Sequence, residues 1–371
     1  MNKITPKTSF EQWFSPINLQ LFEENVKTMK LDYYTKKLTT ESFLKLLLFA
    51  QLQEIESLHA LTDCLFDEQL QKGIDLDSIS ISQLSRRLNG MNPDLFQRLF
   101  LDLVTQIHAK THYTKLVMPL KILDSSTLPL NLTNHRWAKF RKTKAGVKLH
   151  LRLVFMEKGL SYPEKAVLTT AKEHDRGQLE VMIADKECMY VFDRGYLDYE
   201  RFDRMTDDGY FFLSRLRKNA VIREVYDFKL PDDTTVLSDQ MVLIGTTQNR
   251  AENYFRLLKV MDSKGNELHL ITNRFDLSAE EMSEMYKSRW AIELFFKWIK
   301  QHLRIKKFYG QSEWAIHNQV FIALIVFCLH VLIQLETKSQ RKILQISRYL
   351  RVALWEPAHL WLRKIIGKTV P

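Results

Sequence analysis

Three acidic residues stand where a carboxylate can do chemistry. Asp124 closes the apolar run of "KLVMPLKILD", and Asp193 closes that of "MYVFD". Runs of this β-type project a terminal carboxylate from the edge of a sheet. The third acid, Glu293, lies in "YKSRWAIELFFKWIK", residues 286–300, among large apolar groups. At about 100° per residue, with Tyr286 at 0°, Arg289 falls at about 300°, Glu293 at about 340°, Lys297 at about 20° and Lys300 at about 320°. These five residues share a stripe roughly 80° wide, and apolar residues cover the rest of the circumference. The pattern predicts one buried helix through the whole stretch, with Trp290 and Trp298 off the stripe and in the core. Pairing of Arg289 or Lys297 with Glu293 at i,i+4 yields only ~0.2–0.5 kcal/mol per pair on an exposed helix. That gain does not account for an excess of cations on a buried face, where charges need partners. A polyanion against the stripe does account for it: the cations meet phosphate, Tyr286 meets a phosphate or a base, and Glu293 is left for a metal.

Two carboxylates from neighbouring strands, joined by Glu293, make an all-oxygen pocket. Such a pocket suits Mg²⁺ or Mn²⁺, with substrate phosphate and water completing the shell. Two ions about 3.5–4 Å apart can activate the attacking oxygen and stabilise the leaving one in phosphodiester chemistry. A second concentration of charge is "RWAKFRKTKAGVKLHLR", residues 136–152. It holds Arg136, Lys139, Arg141, Lys142, Lys144, Lys148 and Arg152 and no acid. This reads as a surface that tracks phosphates regardless of sequence; a merely solvated charge run is the other reading. "ISISQLSRRL" has the look of the second half of a helix-turn-helix, with Arg86 and Arg87 facing DNA, although short amphipathic helices of this kind also occur in plain bundles. His150 alternates with apolar residues and is expected to pack in a strand. His174 and Asp175 precede a helix as a cap and its neighbour. The stretch from Lys338 to Lys368 is basic, with Glu356 as its one acid.

The elements that must position these groups follow from periodicity. Residues 1–115 read as helices, with capping signals at "TTESF" and a break at "NGMNP". From 116 to 217 the texture changes to β-type runs around a turn at "EKG", a helix at "DRGQLEVMIADKE", the run "MYVFDRGY" and a further strand at "GYFFLSRL". Residues 218–274 are again strand-rich, residues 275–335 return to helix, and 336–371 form a basic helical tail. A mixed sheet flanked by helices, with a helical domain in front, accounts for this order.

Bulk composition narrows the function classes. The chain has 371 residues, a hydrophobic fraction of 45% and only 11 Gly and 9 Pro, which is globular and sufficient for two or three domains. Its net charge of +10 points to a polyanionic partner. Cys64, Cys188 and Cys328 are widely spaced, without metal-site spacing, and read as core thiols in a reducing cytosol. The N-terminus "MNKITPKTSFEQWF" lacks the apolar stretch of a signal peptide. The run 320–335 is interrupted by His330 and Gln334 and reads as a buried helix that falls short of a membrane span.

The spacing Tyr286-x2-Arg289-x3-Glu293-x6-Lys300 resembles the Y-R-E-K signature of the DDE transposases of bacterial insertion sequences, in insertion-sequence family four. "LDSSTLPL" is similar to the segment around that family's first catalytic Asp, and "VFDRGY" to the segment around its second. "KFRKTKAGVKLHLR", "YFFLSRL" and "ITNRFDLSAEEMSEMYKSRWAIELFFKWIKQHL" extend the likeness, which runs from "FLKLLLFAQLQEIESLHAL" to about residue 335. The resemblance implies an RNase H-like mixed-sheet catalytic core of α/β class, interrupted by a β-strand-rich insertion, with an α-helical N-terminal domain and a helical C-terminal tail. It implies that Asp124, Asp193 and Glu293 bind two Mg²⁺ ions, replaceable by Mn²⁺, and that Tyr286, Arg289 and Lys300 contact DNA phosphates near the cleaved end.

The activity so implied is cut-and-paste movement of a DNA element. Water attacks the phosphodiester at the element's 3′ end. The freed 3′-OH attacks the opposite strand to give a hairpin that is reopened, and the 3′-OH then attacks target DNA. No step needs a nucleophilic side chain, so Tyr286 is not assigned as one. The partners expected are double-stranded DNA, at terminal inverted repeats and target, and a second copy of the chain on two ends. The expected location is cytoplasmic, with the nucleoid and away from membranes. A metal-dependent nuclease of the same fold and an inactive sequence-specific DNA-binding protein remain compatible with these residues.

Overall fold

The computed structural model describes residues 6–111, 118–157, 160–302 and 308–367. The chain divides into two compact units: residues 1–112, 128–145 and 297–371 form one, and residues 113–127 and 146–296 form the other.

The first unit is helical. Its N-terminal helices are α1 (Ser9–Phe14), α2 (Leu19–Thr28), α3 (Thr40–Leu52), α4 (Leu58–Asp63), α5 (Glu68–Ile74), α6 (Ile81–Gly90) and α7 (Asp94–Lys110). Local chemistry sets their starts. The side chains of Thr8, Asn18, Thr39, Ser57 and Ser80 each accept a backbone N–H from the first turn that follows, satisfying donors that a helix leaves free. The last part of the chain supplies α12 (Glu313–Thr337), α13 (Ile343–Val352) and α14 (Ala358–Ile366). α12 packs against α7, α3 and α6, so the two ends of the chain share one core. From Val320 to Ile333 every residue of α12 is buried, His330 included. The helix has 25 residues and is long and apolar enough to cross a membrane by composition. The expectation that it falls short of a span is therefore corrected, while its burial holds: 78% of its most apolar window is inside the protein.

The second unit is built on a mixed sheet. Its strands are β1 (Leu120–Leu130), β2 (Lys139–Arg141), β3 (Lys144–Glu157), β4 (Leu160–Thr170), β5 (Met189–Phe192), β6 (Phe211–Leu216), β7 (Ile222–Asp227), β8 (Val236–Thr246), β9 (Asn249–Arg250), β10 (Phe255–Met261) and β11 (Glu267–Thr272). β2 and the ends of β1 and β3 fall in the helical unit. The order is β2-β3-β1-β5-β6-β11-β10-β8-β7, with β4 on β3 and β9 on β8. β1, β5 and β6 run parallel, and the strands from β6 to β7 are joined by antiparallel pairs. The strand-rich stretch 218–274 thus extends the same sheet, through β11 on β6. Helices α8 (Asp175–Met182) and α9 (Tyr199–Asp207) connect the central strands, and α10 (Ala279–Ser288) and α11 (Trp290–His302) follow the last one. An aromatic cluster holds this core: Phe212 stacks on Phe202 at 4.3 Å and on Phe192 at 6.1 Å between centroids. The turn expected at "EKG" lies partly outside the described residues, as does Lys368.

Two local expectations change. The β-type run expected to stop at Asp124 continues as β1 to Leu130. What stops at Leu123 is the buried pattern and the pairing with β5. The helix expected to run unbroken through 286–300 breaks at Arg289, where Arg289 N–H and Ile292 N–H bond to carbonyls only three residues back. Trp290, Leu294 and Lys297 form one exposed side of α11. Trp290 is 56% exposed and Leu294 52%, so Trp290 is not a core residue. Trp298 is half-buried and meets Phe327 edge-on at 4.9 Å, as a core residue does. Of the three thiols, Cys188 and Cys328 are buried and Cys64 is half-buried; all are free.

Candidate active site

β1 and β5 pair in parallel register, Leu123 opposite Phe192. The next residue on each strand is an aspartate, so Asp124 and Asp193 leave adjacent strands side by side, about 4.8 Å apart by strand spacing. Each is fixed by a backbone amide close to it. Asp124 Oδ1 accepts the Ser125 N–H at 2.7 Å, and Asp193 Oδ1 accepts the Gly195 N–H at 2.7 Å. A Cβ at Gly195 would lie 2.9 Å from that same Asp193 oxygen, so a larger residue there would make the carboxylate shift.

Glu293 comes from α11, and Arg289 Nη2 donates to its Oε1 at 2.5 Å. The internal i,i+4 pair is thus formed. The Arg289 guanidinium also lies 5.8 Å from the ring centre of Tyr286, which is 8% exposed. Burial works against the charge on Arg289, but Glu293, Tyr286 and Asp124 outweigh it and hold the guanidinium above its usual range. Burial pushes the Tyr286 hydroxyl up. At Asp124, burial raises the carboxyl to about 6, and the charges of Asp193 and Glu293 add to the rise; the Ser125 amide and Arg289 oppose it. Asp124 therefore feels both other acids. Lys297 is exposed and Lys300 half-buried further along α11.

A network that the sequence did not reveal supports this pair from behind. Ser125 Oγ donates to Asp175 Oδ1 at 2.6 Å. Lys148 Nζ stands 3.2 Å from the same oxygen, and His150 Nδ1 stands 3.6 Å from it. His150 is fully buried, and burial lowers it to about 4, so it is neutral at pH 7. Tyr196 is also buried, and burial with the charges of Asp175, Asp124 and Asp193 pushes its hydroxyl up. Asp175 is more than the neighbour of a helix cap: His174 occupies the cap position without a side-chain bond. One signal was present in the sequence. Lys148, His150 and Arg152 alternate along β3, so they face one side of the strand.

The cationic expectations separate by burial. Arg136, Lys139, Arg141, Lys142 and Lys144 are exposed on and around the β2–β3 hairpin. Lys148 is half-buried, bound to Asp175 and to the Glu173 carbonyl at 2.9 Å. Arg152 is buried against Glu164 at 2.6 Å and bonds the Met182 carbonyl, so it belongs to the core. Arg86 is exposed. Arg87 is committed inward, donating to Leu31 O at 2.8 Å, Asp32 at 2.7 Å and Thr40 Oγ1 at 2.5 Å.

The donor set fits hard divalent cations. Asp124 and Asp193 offer oxygens in a place where burial and mutual repulsion raise a carboxyl, which is the disadvantage a divalent ion removes. Glu293 is held by Arg289, and among the described residues no three His, Cys, Asp or Glu side chains stand ready as they are to hold an ion.

The chain is similar to known proteins in sequence and in fold. The family model for the transposase DDE domain matches residues 115–329, and a domain of unknown function (DUF4372) matches residues 5–73. A probable transposase for insertion sequence element IS5377 of Geobacillus stearothermophilus is 30% identical over 265 residues, covering 71% of this chain and 69% of the relative. A putative transposase for insertion sequence element IS4SA of Synechocystis is 22% identical over 302 residues, covering 78% and 82%. In fold, the chain is similar to piggyBac transposase in its cryo-EM synaptic complex with hairpin DNA. The TM-score is 0.50 at 9% identity, over 100% of this chain and 84% of that one.

Proposed function

The chain belongs to the transposase DDE domain family, and from that premise we propose that Asp124, Asp193 and Glu293 are its catalytic acids in cut-and-paste transposition. The protein is a DNA transposase of insertion-sequence type, a DNA-cleaving and strand-transferring enzyme that depends on divalent metal. The observation that carries the residue assignment is the β1–β5 register, which sets Asp124 beside Asp193. The charges of Asp193 and Glu293 acting on Asp124 support it. The strand order β4-β3-β1-β5-β6, with the last three parallel, supports an RNase H-like core that β7 to β11 extend. The spacing of Tyr286, Arg289, Glu293 and Lys300 supports placement in insertion-sequence family four.

When bound, two Mg²⁺ or Mn²⁺ ions supply Lewis-acid stabilisation of the charge that develops on phosphate oxygens. Asp124 and Asp193 would hold them. Glu293, held here by Arg289, would be free to join them when the guanidinium turns to a DNA phosphate, an exchange of one anion for another at a fork-shaped donor. Tyr286, buried beside Arg289, positions the guanidinium. Lys297, Lys300 and the exposed cations Arg86, Arg136, Lys139, Arg141, Lys142 and Lys144 neutralise backbone phosphates of element ends and target. Trp290, exposed next to Arg289, offers a face for stacking on a base. Water attacks the phosphodiester at the 3′ end of the element and releases a 3′-OH. That hydroxyl attacks the opposite strand, closing a hairpin, and after reopening attacks target DNA. Each step makes one P–O bond and breaks one. Two ends brought together need a dimer on DNA.

The test uses a DNA fragment that carries the coding region with its native flanks, incubated with protein and Mg²⁺, with strand ends mapped. Discrete cuts at the flanks with joined products, absent for Asp124→Ala and with a chelator, are expected. Nicking without joining would make it a nuclease, and binding without cleavage would make it an inactive DNA-binding protein.

A further inference from the structure

A cavity of about 500 Å³ opens beside the acidic pair, within the sheet-based unit. It is lined by His174, Asp175, Gly177, Gly195, Arg201 and Arg217. Its wall toward the pair is Gly195, whose missing side chain leaves the cavity next to Asp193 Oδ1. At Gly177 an added Cβ would meet nothing within 4 Å, so the space is open there as well.

The charge of the lining is only partly matched inside the protein. Arg201 Nε reaches Asp198 and Glu180 only at 3.7 and 3.8 Å, and its Nη1 is buried without a hydrogen-bond partner. Arg217 is exposed, and among the described residues no carboxylate lies within ion-pair distance of it. The one acid of the lining, Asp175, is already matched by Lys148 and by the hydroxyl of Ser125. Two guanidinium groups, an imidazole and two glycines form a site for a compact anion on a flexible backbone, not for an apolar molecule. Guanidinium forks fit phosphate oxygens in pairs.

We propose that this cavity is a phosphate subsite for the DNA strand that enters the acidic pair, where Arg201 and Arg217 hold a backbone phosphate neighbouring the one that is cleaved. It rests on the reading of Asp124 and Asp193 as the cleavage site. It assigns these arginines, outside the Tyr286–Lys300 signature, to strand placement.

The experiment measures binding of the native flanking duplex by fluorescence anisotropy without metal, and cleavage with Mg²⁺. DNA carries a single methylphosphonate at each backbone position in turn around the mapped cut. One position is expected to weaken wild-type binding roughly tenfold, the size of a charge-assisted hydrogen bond. Arg217→Ala and Arg201→Lys are expected to weaken binding of unmodified DNA to a similar degree and to lose nothing more at that position, as coupled partners do. The salt slope should fall by about 1 for Arg217→Ala. Arg204→Ala, on the same helix as Arg201 and bound to Glu180 at 3.0 Å, should bind as wild type does. Arg217 is exposed, so its variant keeps the fold if Arg201→Lys does not. Wild-type binding by Arg217→Ala, or additive losses with every methylphosphonate, would overturn the subsite. If Asp193→Asn still cleaves, the reading of the acidic pair fails instead; if it does not cleave while Arg217→Ala binds normally, the subsite alone fails.

Discussion

Replacing Asp124 by Asn tests the site without any DNA. The Asp124 carboxyl rises from 3.8 to about 6 in the fold, chiefly by burial. A shift of two units corresponds to roughly 3 kcal/mol of strain in the ionised form, and solvent relaxation around a half-buried group brings the expected effect to about 1–2 kcal/mol. The direction follows from proton binding. Between pH 4 and 6 the folded protein holds more protons at this residue than the unfolded chain, so stability falls as pH rises through that window and stays lowered above it. Asn keeps the acceptor for the Ser125 N–H and carries no charge. In a chelator at pH 7 the variant should therefore melt higher, by roughly 2–4 °C per kcal/mol gained. The advantage should shrink below pH 6 and vanish near pH 4. His150 and His330, lowered by burial to about 4, cost stability as pH falls through 6.5, but they do so in both proteins and cancel. Adding Mg²⁺ should raise the wild-type midpoint, since a ligand at 100 times its Kd contributes ~2.7 kcal/mol, and should leave the variant nearly unmoved. Thermal melts followed by circular dichroism across a pH series provide the comparison. A variant that melts no higher than wild type in chelator, or that gains as much from Mg²⁺, would refute the placement of Asp124 at a strained metal site.

Two further outcomes are expected. Trp290→Ala should leave denaturant unfolding within about 0.5 kcal/mol of wild type, because the side chain is 56% exposed; binding of flanking DNA in the same preparation should weaken by ~1–3 kcal/mol, the size of one lost base stack, and unchanged affinity would return Trp290 to a bystander. Arg256→Leu leaves Asp239, 4% exposed and otherwise held by Arg256 at 2.7 and 2.9 Å, buried without its cation. Urea unfolding should show a loss of about 3–5 kcal/mol, whereas a loss under 1 kcal/mol would mean that water reaches the carboxylate.

The central strands were legible because their apolar runs are short, bounded and followed by a charged residue. "MYVFD" and "GYFFLSRL" became β5 and β6 where expected. The N-terminal helices were legible from their capping residues. The break at Arg289 was not, because angular bookkeeping at a constant 100° assumes the continuity that i,i+3 bonds interrupt. Trp290 was misplaced for a different reason: at about 40° it stands only about 20° from Lys297 and shares the exposed side of α11 with it. The Asp175 network was invisible for another reason. Its members come from β1, β3, α8 and the turn after β5, and no spacing in one dimension marks groups that meet only after the strands pair. Arg87 and Lys148 show the same limit: a cation next to others in sequence can face an internal carboxylate, and only packing decides which.

The shared core of the helical unit bears on how the chain is made. α7 ends at Lys110, and α12, which packs against it, begins at Glu313. About 200 residues of synthesis separate the two, roughly 10–40 s on a ribosome adding ~5–20 residues per second. During that interval the apolar faces of α3, α6 and α7 wait for a helix that has not been made, and a chaperone or their own transient clustering must cover them. A chain that ends early, at a frameshift or a stop codon before residue 313, forfeits more than its tail. Its first hundred residues lose the helix that completes their interior, so a broken copy of the gene yields material for proteolysis and not a stable fragment that occupies DNA.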